Sequence, residues 1–306
     1  FNRATQGLYP IGSTFKVITT SAAMLYLGMG GDSPITCPAS WTVPGTTQPV
    51  FKDWSYPNGQ GTLTLSNALT QSCDTAMYQI GYQVDQKNPE LLPNTAKAFG
   101  LGSPTGIPEL PEATGVIPDP NWVQKNVPGT VWTAGDAVNL AIGQGYMTAT
   151  PLQVADMYAA IANGGTVWQP YLVQKVQALT GQTVYAHKAT VRSKLPDTPA
   201  QLQVIQTALQ AVVNAPNGTA AGLSATHPFE GDPHAEEIAG KTGTAETADT
   251  AESLPDAWFS SFTPVQGAKM AMTAAVQNGG EGGDISAPLN RDVIDAFYQY
   301  MMPPGS

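Results

Sequence analysis

The tightest constraint on this chain is a change of period at Asn163-Gly164-Gly165. Before that break, apolar residues recur with helical spacing; after it, short strand-like runs take over. From Ser13 to Leu27, the residues Phe15, Val17, Ile18, Ala22, Ala23 and Leu25 leave little polar face, and Gly28 and Gly30-Gly31 end the run. A helix apolar on most sides belongs in an interior, so a central buried helix is predicted here. Helical patterning returns over 64–84, with Ser66 as the expected N-cap, and again over 90–99, 133–142 and 151–162, the last with Pro151 in its first turn. Residues 31–62 are rich in Pro, Gly and Thr and read as loop. Residues 104–128 hold six prolines and read as an extended crossing segment.

Past the break, residues 166–178 and 183–190 read as two strands around Thr180-Gly181-Gln182, a hairpin signal. A helix is expected over 197–214, a loop over 215–235, strands over 236–246, 257–264 and 268–277, and a last helix over 287–301. Helices, then strands, then one helix predict a mixed α/β fold. An α-rich lobe (about 17–165) would pack with a sheet lobe (about 166–302) as one unit, residues 1–302.

Charge and composition narrow the chemistry. A net charge of −10 excludes binding of nucleic-acid backbones through the overall field. No run of 18 apolar residues exists to span a membrane. Three histidines and two cysteines leave few metal ligands and few imidazoles, so catalysis is expected from Ser, Lys, Asp or Glu. His227 and His234, with Asp232 and Glu236, read as a solvated loop rather than a metal site. The opening Phe1-Asn2-Arg3 has neither an initiator Met nor a signal pattern, which reads as a fragment or processed form.

Three segments could carry chemistry. In Ser13-Thr14-Phe15-Lys16, a serine opens a helix and a lysine three residues on shares its face, so an amine can reach the hydroxyl. Such an amine can activate a serine, and free N–H groups at the helix start favour a developing oxyanion. Taken alone, a capping serine and a surface lysine are the commoner reading. Ser72-Cys73-Asp74 sets two polar residues around a cysteine within a helical stretch; alone it reads as a cap or kink. Lys241-Thr242-Gly243-Thr244 lies in a strand-like run, its two threonines on one face, able to bond a carboxylate. A glycine there marks close approach of another backbone or a ligand. The spacing does not fit a phosphate loop.

In this order, SxxK, SxD and KTG resemble the motif trio of serine penicillin-recognising enzymes. The chain is similar to the transpeptidase domain of class B penicillin-binding proteins, above all actinobacterial-type members with a cysteine inside the second motif. The likeness extends to Asn2–Pro10, Ala141–Gly145 with Thr148–Gln153, Asn163–Thr166, Gly218-Thr219-Ala220 and Ala257-Trp258-Phe259. It implies the penicillin-binding protein/serine β-lactamase-like fold, an antiparallel sheet flanked by helices plus an α-rich lobe. It implies a D,D-transpeptidase acting on the D-Ala-D-Ala end of peptidoglycan stem peptides, with β-lactams as covalent inhibitors. Related alternatives are a D,D-carboxypeptidase and a non-catalytic β-lactam-binding scaffold. By the resemblance, Ser13 is the nucleophile, Lys16 takes its proton, Ser72 relays a proton to the leaving amine, and Lys241 tunes Ser72 and draws in the substrate carboxylate. Thr242 and Thr244 bind that carboxylate around Gly243, and the N–H groups of Ser13 and Thr244 form the oxyanion hole. No metal or organic cofactor is implied. Membrane proteins of cell-wall synthesis are expected partners. The expected location is the extracytoplasmic face of the cell membrane, through an N-terminal anchor and pedestal that this chain does not include.

Three departures from the family pattern matter, one of them Asp256, where relatives often have His ahead of Ala257-Trp258-Phe259. The second motif commonly ends in Asn but here in Asp74; an ionised Asp74 beside Lys16 would hold the proton on the amine, unless the pair shares one proton. The chain also begins only 12 residues ahead of Ser13, so the sheet is expected to lack its first strands and expose an edge. Cys37 and Cys73 are either bridged, clamping the rim of the site, or unlinked with one buried beside the catalytic helix.

Overall fold

A computed structural model describes residues 1–247 and 253–302. At its centre runs the helix Lys16–Tyr26, buried from Lys16 to Met24. Helices Leu65–Thr70, Asp74–Lys87, Leu91–Ala98, Ala134–Leu140 and Pro151–Ala162 come from the N-terminal half of the chain. Helices Pro199–Asn214 and Ser286–Met301 complete the packing around an antiparallel sheet of three strands. The architecture is the mixed α/β arrangement expected.

In the sheet, Asp256–Thr263 is central, with Ala239–Ala245 on one side and Met270–Val276 on the other. The register sets Trp258 opposite Gly243 and Phe259 opposite Thr242. Side chains alternate across a strand. Trp258 and Phe262 therefore enter the main core with Ile11, Phe15 and Tyr158, while Phe259 joins Ile238, Ile294 and Tyr298 beneath the last helix. Polar groups in that second layer are matched: Ser286 Oγ donates to the Ala257 carbonyl and Ser261 Oγ to Asn290 Oδ1. Among the described residues, the strand Met270–Val276 pairs only with Asp256–Thr263, which leaves one edge of the sheet unpaired.

Several local expectations need correction. The stretch 64–84 is not one helix: it breaks at Ser72, which takes a left-handed backbone (φ 56°), and its N-cap is Thr64, not Ser66. The run 166–178 divides into Thr166–Trp168, paired with Val191–Lys194, and Lys175–Gln177, paired with Thr183–Ala186. Pro170 lies between the two pieces and has no N–H for a ladder. The expected loop 31–62 contains two strand pairs, Pro34–Cys37 with Gly61–Thr64 and Ser40–Trp41 with Phe51–Lys52. Within 104–128, Asp119 caps a short helix, Pro120–Asn126, whose proline occupies the first turn.

Candidate active site

Ser13 sits in a 3-10 turn, Gly12–Phe15, that feeds directly into the central helix. The turn is held from three sides. Gly12 N–H donates to the Gly143 carbonyl at 3.1 Å, Thr14 Oγ1 to the Ile11 carbonyl at 2.7 Å, and the buried Tyr158 hydroxyl to the Thr14 carbonyl at 3.1 Å. Gly12 has φ 52°, and a Cβ there would lie 2.6 Å from the Thr244 carbonyl oxygen. A Cβ on Gly243 would lie 2.9 Å from the Thr14 methyl and 3.0 Å from the Ile11 carbonyl. The threonine-bearing strand thus runs against the serine turn, backbone to backbone, and glycine is required on both sides.

Lys16, fully buried one turn below Ser13, has three acceptors: the Ser72 carbonyl at 2.6 Å, Ser72 Oγ at 3.0 Å and Asp74 Oδ1 at 2.7 Å. An ammonium has three protons to give. All are committed to the second motif, and among the described residues no hydrogen bond links Lys16 to Ser13 Oγ. Asp74 sits in the first turn of its helix, where a negative charge is favourable. Its second oxygen accepts the Trp54 N–H at 3.1 Å. The left-handed backbone of Ser72 costs a non-glycine residue ~1–3 kcal/mol. Its carbonyl and hydroxyl, both on Lys16, over-determine it.

Lys241 is also fully buried, and its ammonium donates to the Thr242 carbonyl at 3.1 Å. Burial pushes its pKa well below the usual lysine value; the nearby positive charge of Lys16 pushes the same way, and Asp74 opposes them. The cation expected here is held weakly. No hydrogen bond joins Lys241 to Ser72 among the described residues. Thr242 Oγ1 meets Thr219 Oγ1 at 2.6 Å, which gives the Gly218-Thr219-Ala220 landmark a place in the site. Thr244 Oγ1 donates to Glu281 Oε2 at 2.8 Å. Ser13, Ser72, Asp74, Thr219, Thr242 and Thr244 line one cleft of about 800 Å³.

Cys37 and Cys73 are disulfide-bonded, settling the alternative left open by sequence. Beside the bridge lies Asp53, a residue that sequence reasoning misses. Its Oδ2 accepts the Asp74 N–H at 2.7 Å, and its Oδ1 accepts from Ser55 N–H, Ser55 Oγ and Gln60 Nε2. Asp53 is 2% exposed and caps the helix that carries Asp74. Trp54 escapes notice as well. Its indole N–H donates to the Gln71 carbonyl while 52% of its surface stays open at the cleft. Both sit in a Pro/Gly-rich loop with no periodic signal; only the unusual Asp53-Trp54 pair in that loop could have drawn attention.

The family model for the penicillin-binding protein transpeptidase domain matches residues 1–295. Peptidoglycan D,D-transpeptidase MrdA of Haemophilus influenzae is 34% identical over 99% of this chain and 46% of its own length. A ceftriaxone acyl-enzyme complex of penicillin-binding protein A from Mycobacterium tuberculosis superposes with a TM-score of 0.77 at 28% identity, covering 97% of this chain and 62% of that one. PBP2 of Helicobacter pylori, solved in complex with MreC, gives a TM-score of 0.81 at 27% identity, over 98% of this chain and 51% of that one. The chain therefore spans about half the length of MrdA. With the three motifs meeting in one cleft and a match running from the first residue nearly to the last, the chain belongs to the penicillin-binding protein transpeptidase domain family.

Proposed function

We propose that the chain is the catalytic part of a peptidoglycan D,D-transpeptidase that works through an acyl-enzyme on Ser13. The observation that carries this reading is the contact of the serine turn with the threonine strand, Gly12 against the Thr244 carbonyl, at the wall of a cleft wide enough for a peptide end. In a strand, a residue's N–H and C=O point to the same edge. The Thr244 N–H therefore shares the edge that faces Ser13, where a pair of N–H groups would hold an oxyanion.

In the forward reaction, Ser13 Oγ adds to the carbonyl of the penultimate D-Ala and its proton passes to the Lys16 amine. That amine must first be freed of the proton that the Asp74 carboxylate, 2.7 Å away, helps to hold on it. Ser72 Oγ, 3.0 Å from Lys16 Nζ, is placed to carry a proton onward to the departing D-Ala amine. The C–N bond breaks, the ester remains, and an amine from a second stem peptide replaces Ser13 to form the crosslink. Thr242 and Thr244 would receive the substrate carboxylate. β-Lactams present the same end and would stall as the Ser13 ester.

The disulfide suits an oxidising compartment, in line with work at the extracytoplasmic face of the cell membrane. No described helix is long and apolar enough to cross a membrane. Membrane proteins of cell-wall synthesis are the partners this reading implies.

Intact-mass and peptide-mass analysis after incubation with penicillin G tests the proposal. One adduct on the Ser13 peptide, absent from Ser13→Ala, is expected. A stem-peptide donor with an amine acceptor should then yield the crosslinked product. Release of D-Ala without crosslinking would point to a carboxypeptidase, and no adduct at all would remove the reading.

A further inference from the structure

The hydroxyl best placed to receive a ligand carboxylate already holds one. Thr244 Oγ1 donates to Glu281 Oε2 at 2.8 Å and accepts the Gly282 N–H at 3.4 Å. Glu281 itself is exposed and lines the cleft.

The segment that carries Glu281 is pinned to the sheet. A Cβ on Gly282 would collide with the carbonyl oxygens of Gly243 and Trp258, and one on Gly283 would meet the Thr219 carbonyl. Only glycine lets the chain lie this close. On the far side, Asp284 Oδ1 accepts from Ser224 Oγ and from the Ala225 N–H, both at 2.8 Å. Glu281 is thus delivered to Thr244 by a fixed backbone.

Charge in the cleft adds to the effect. Asp74, Glu246 and Asp284 line it together with Glu281. Of the two buried lysines, Lys16 is paired with Asp74 and Lys241 holds its proton weakly. The exposed Lys52 also lines the cleft, its ammonium 4.5 Å from the centre of the Tyr56 ring, so an incoming carboxylate has a cation nearby but must still displace Glu281 from the hydroxyl it needs.

We propose that Glu281 is a specificity-determining residue: a resident carboxylate that occupies the Thr244 subsite and disfavours ligands whose recognition end is anionic. This rests on Ser13 as the nucleophile and Thr244 as the carboxylate-binding hydroxyl. The exchange of Glu281 with the ligand precedes acylation, so the effect falls on the binding constant more than on the chemical step.

The test compares penicillin G with its C3 primary amide on the 306-residue chain and on Glu281→Gln, reading the second-order rate constant for Ser13 acylation by stopped flow or mass spectrometry. Glu281→Gln should raise the constant for the carboxylate about tenfold and that for the amide less than twofold, because like charges in contact repel and an amide carries none. A second measurement needs no variant: raising salt from low to high should speed carboxylate acylation of the unsubstituted chain and leave the amide unchanged, since salt screens exposed repulsion. Equal changes for both ligands, or none with either variant or salt, overturn the role of Glu281 while leaving acylation intact. Absence of any Ser13 adduct with both ligands overturns the transpeptidase reading and this inference with it.

Discussion

At the scale of single residues, the site is governed by who holds the proton. Asp74 and Lys16 lie 2.7 Å apart, the lysine fully buried, so the pair is closed off from water on one side. Replacing Asp74 by Asn keeps the shape and removes the charge that retains the lysine's proton. Asp74→Asn is expected to speed acylation by penicillin G about tenfold, because the opposite charge that favours the protonated amine is gone. Equal rates for the two proteins across pH 6–9 would refute this. Lys241 makes the opposite case. Burial opposes its charged form, so its folded-state pKa lies below the unfolded value. The unfolded chain then binds more protons between those two values, and stability climbs as pH rises through that window. Lys241→Met should melt at a higher temperature than the parent near neutral pH, and the gap should narrow as pH approaches the ordinary lysine range. Acylation should also fall, because the buried amine that tunes Ser72 is lost. A stability gap that widens with pH would contradict burial as the cause of the lowered pKa.

At the scale of elements, the turn between Leu65–Thr70 and Asp74–Lys87 matters most. It is fixed by the Cys37–Cys73 bridge from below, by Asp53 at the helix start and by Lys16 from the side. Opening the bridge frees a loop closed across 36 positions, and the chain-entropy account gives a loss of ~2–4 kcal/mol. Reduction, or Cys37→Ser with Cys73→Ser, should lower the melting temperature and slow Ser13 acylation together; unchanged acylation in the bridge-free protein would show that the turn holds without it. This turn also marks where sequence stops being informative. The helices at 151–162 and 199–214 are readable because caps, a proline in the first turn and apolar spacing all agree. The same signals run 64–84 together as one helix, because nothing local in Ser72 announces a left-handed backbone. That conformation is imposed by Lys16, 56 positions away, through two hydrogen bonds. Asp53 is invisible for a like reason: its bond to Ser55 is an ordinary local turn contact, and the partners that place it in the site, Asp74 and Thr75, meet it only after folding. The motif serine, lysines and threonines are legible because their chemistry is written in fixed spacing, whereas their supporting bonds are not.

At the scale of the molecule, the helical and sheet portions share one interior. Ile18 and Phe15 at the head of the central helix, Tyr158 and Leu209 of two others, and Trp258 and Phe262 of the sheet belong to the same apolar cluster. Unfolding is therefore expected to be one transition, with far-UV circular dichroism and tryptophan fluorescence giving coincident curves; two separated transitions would mean that the lobes melt apart. The glycine contacts carry a further consequence. Gly12 against Thr244, Gly143 against Gly12, and Gly243 against Ile11 are backbone meeting backbone. The gap between Ser13 and the ribbon is hence set mainly by main-chain contacts, which side-chain substitution changes little. On the proposed acylation of Ser13, substitution could not loosen a β-lactam's seat by widening that spacing. Variants that weaken β-lactam acylation are expected around the mouth, at positions such as Trp54, where substitution leaves that spacing untouched.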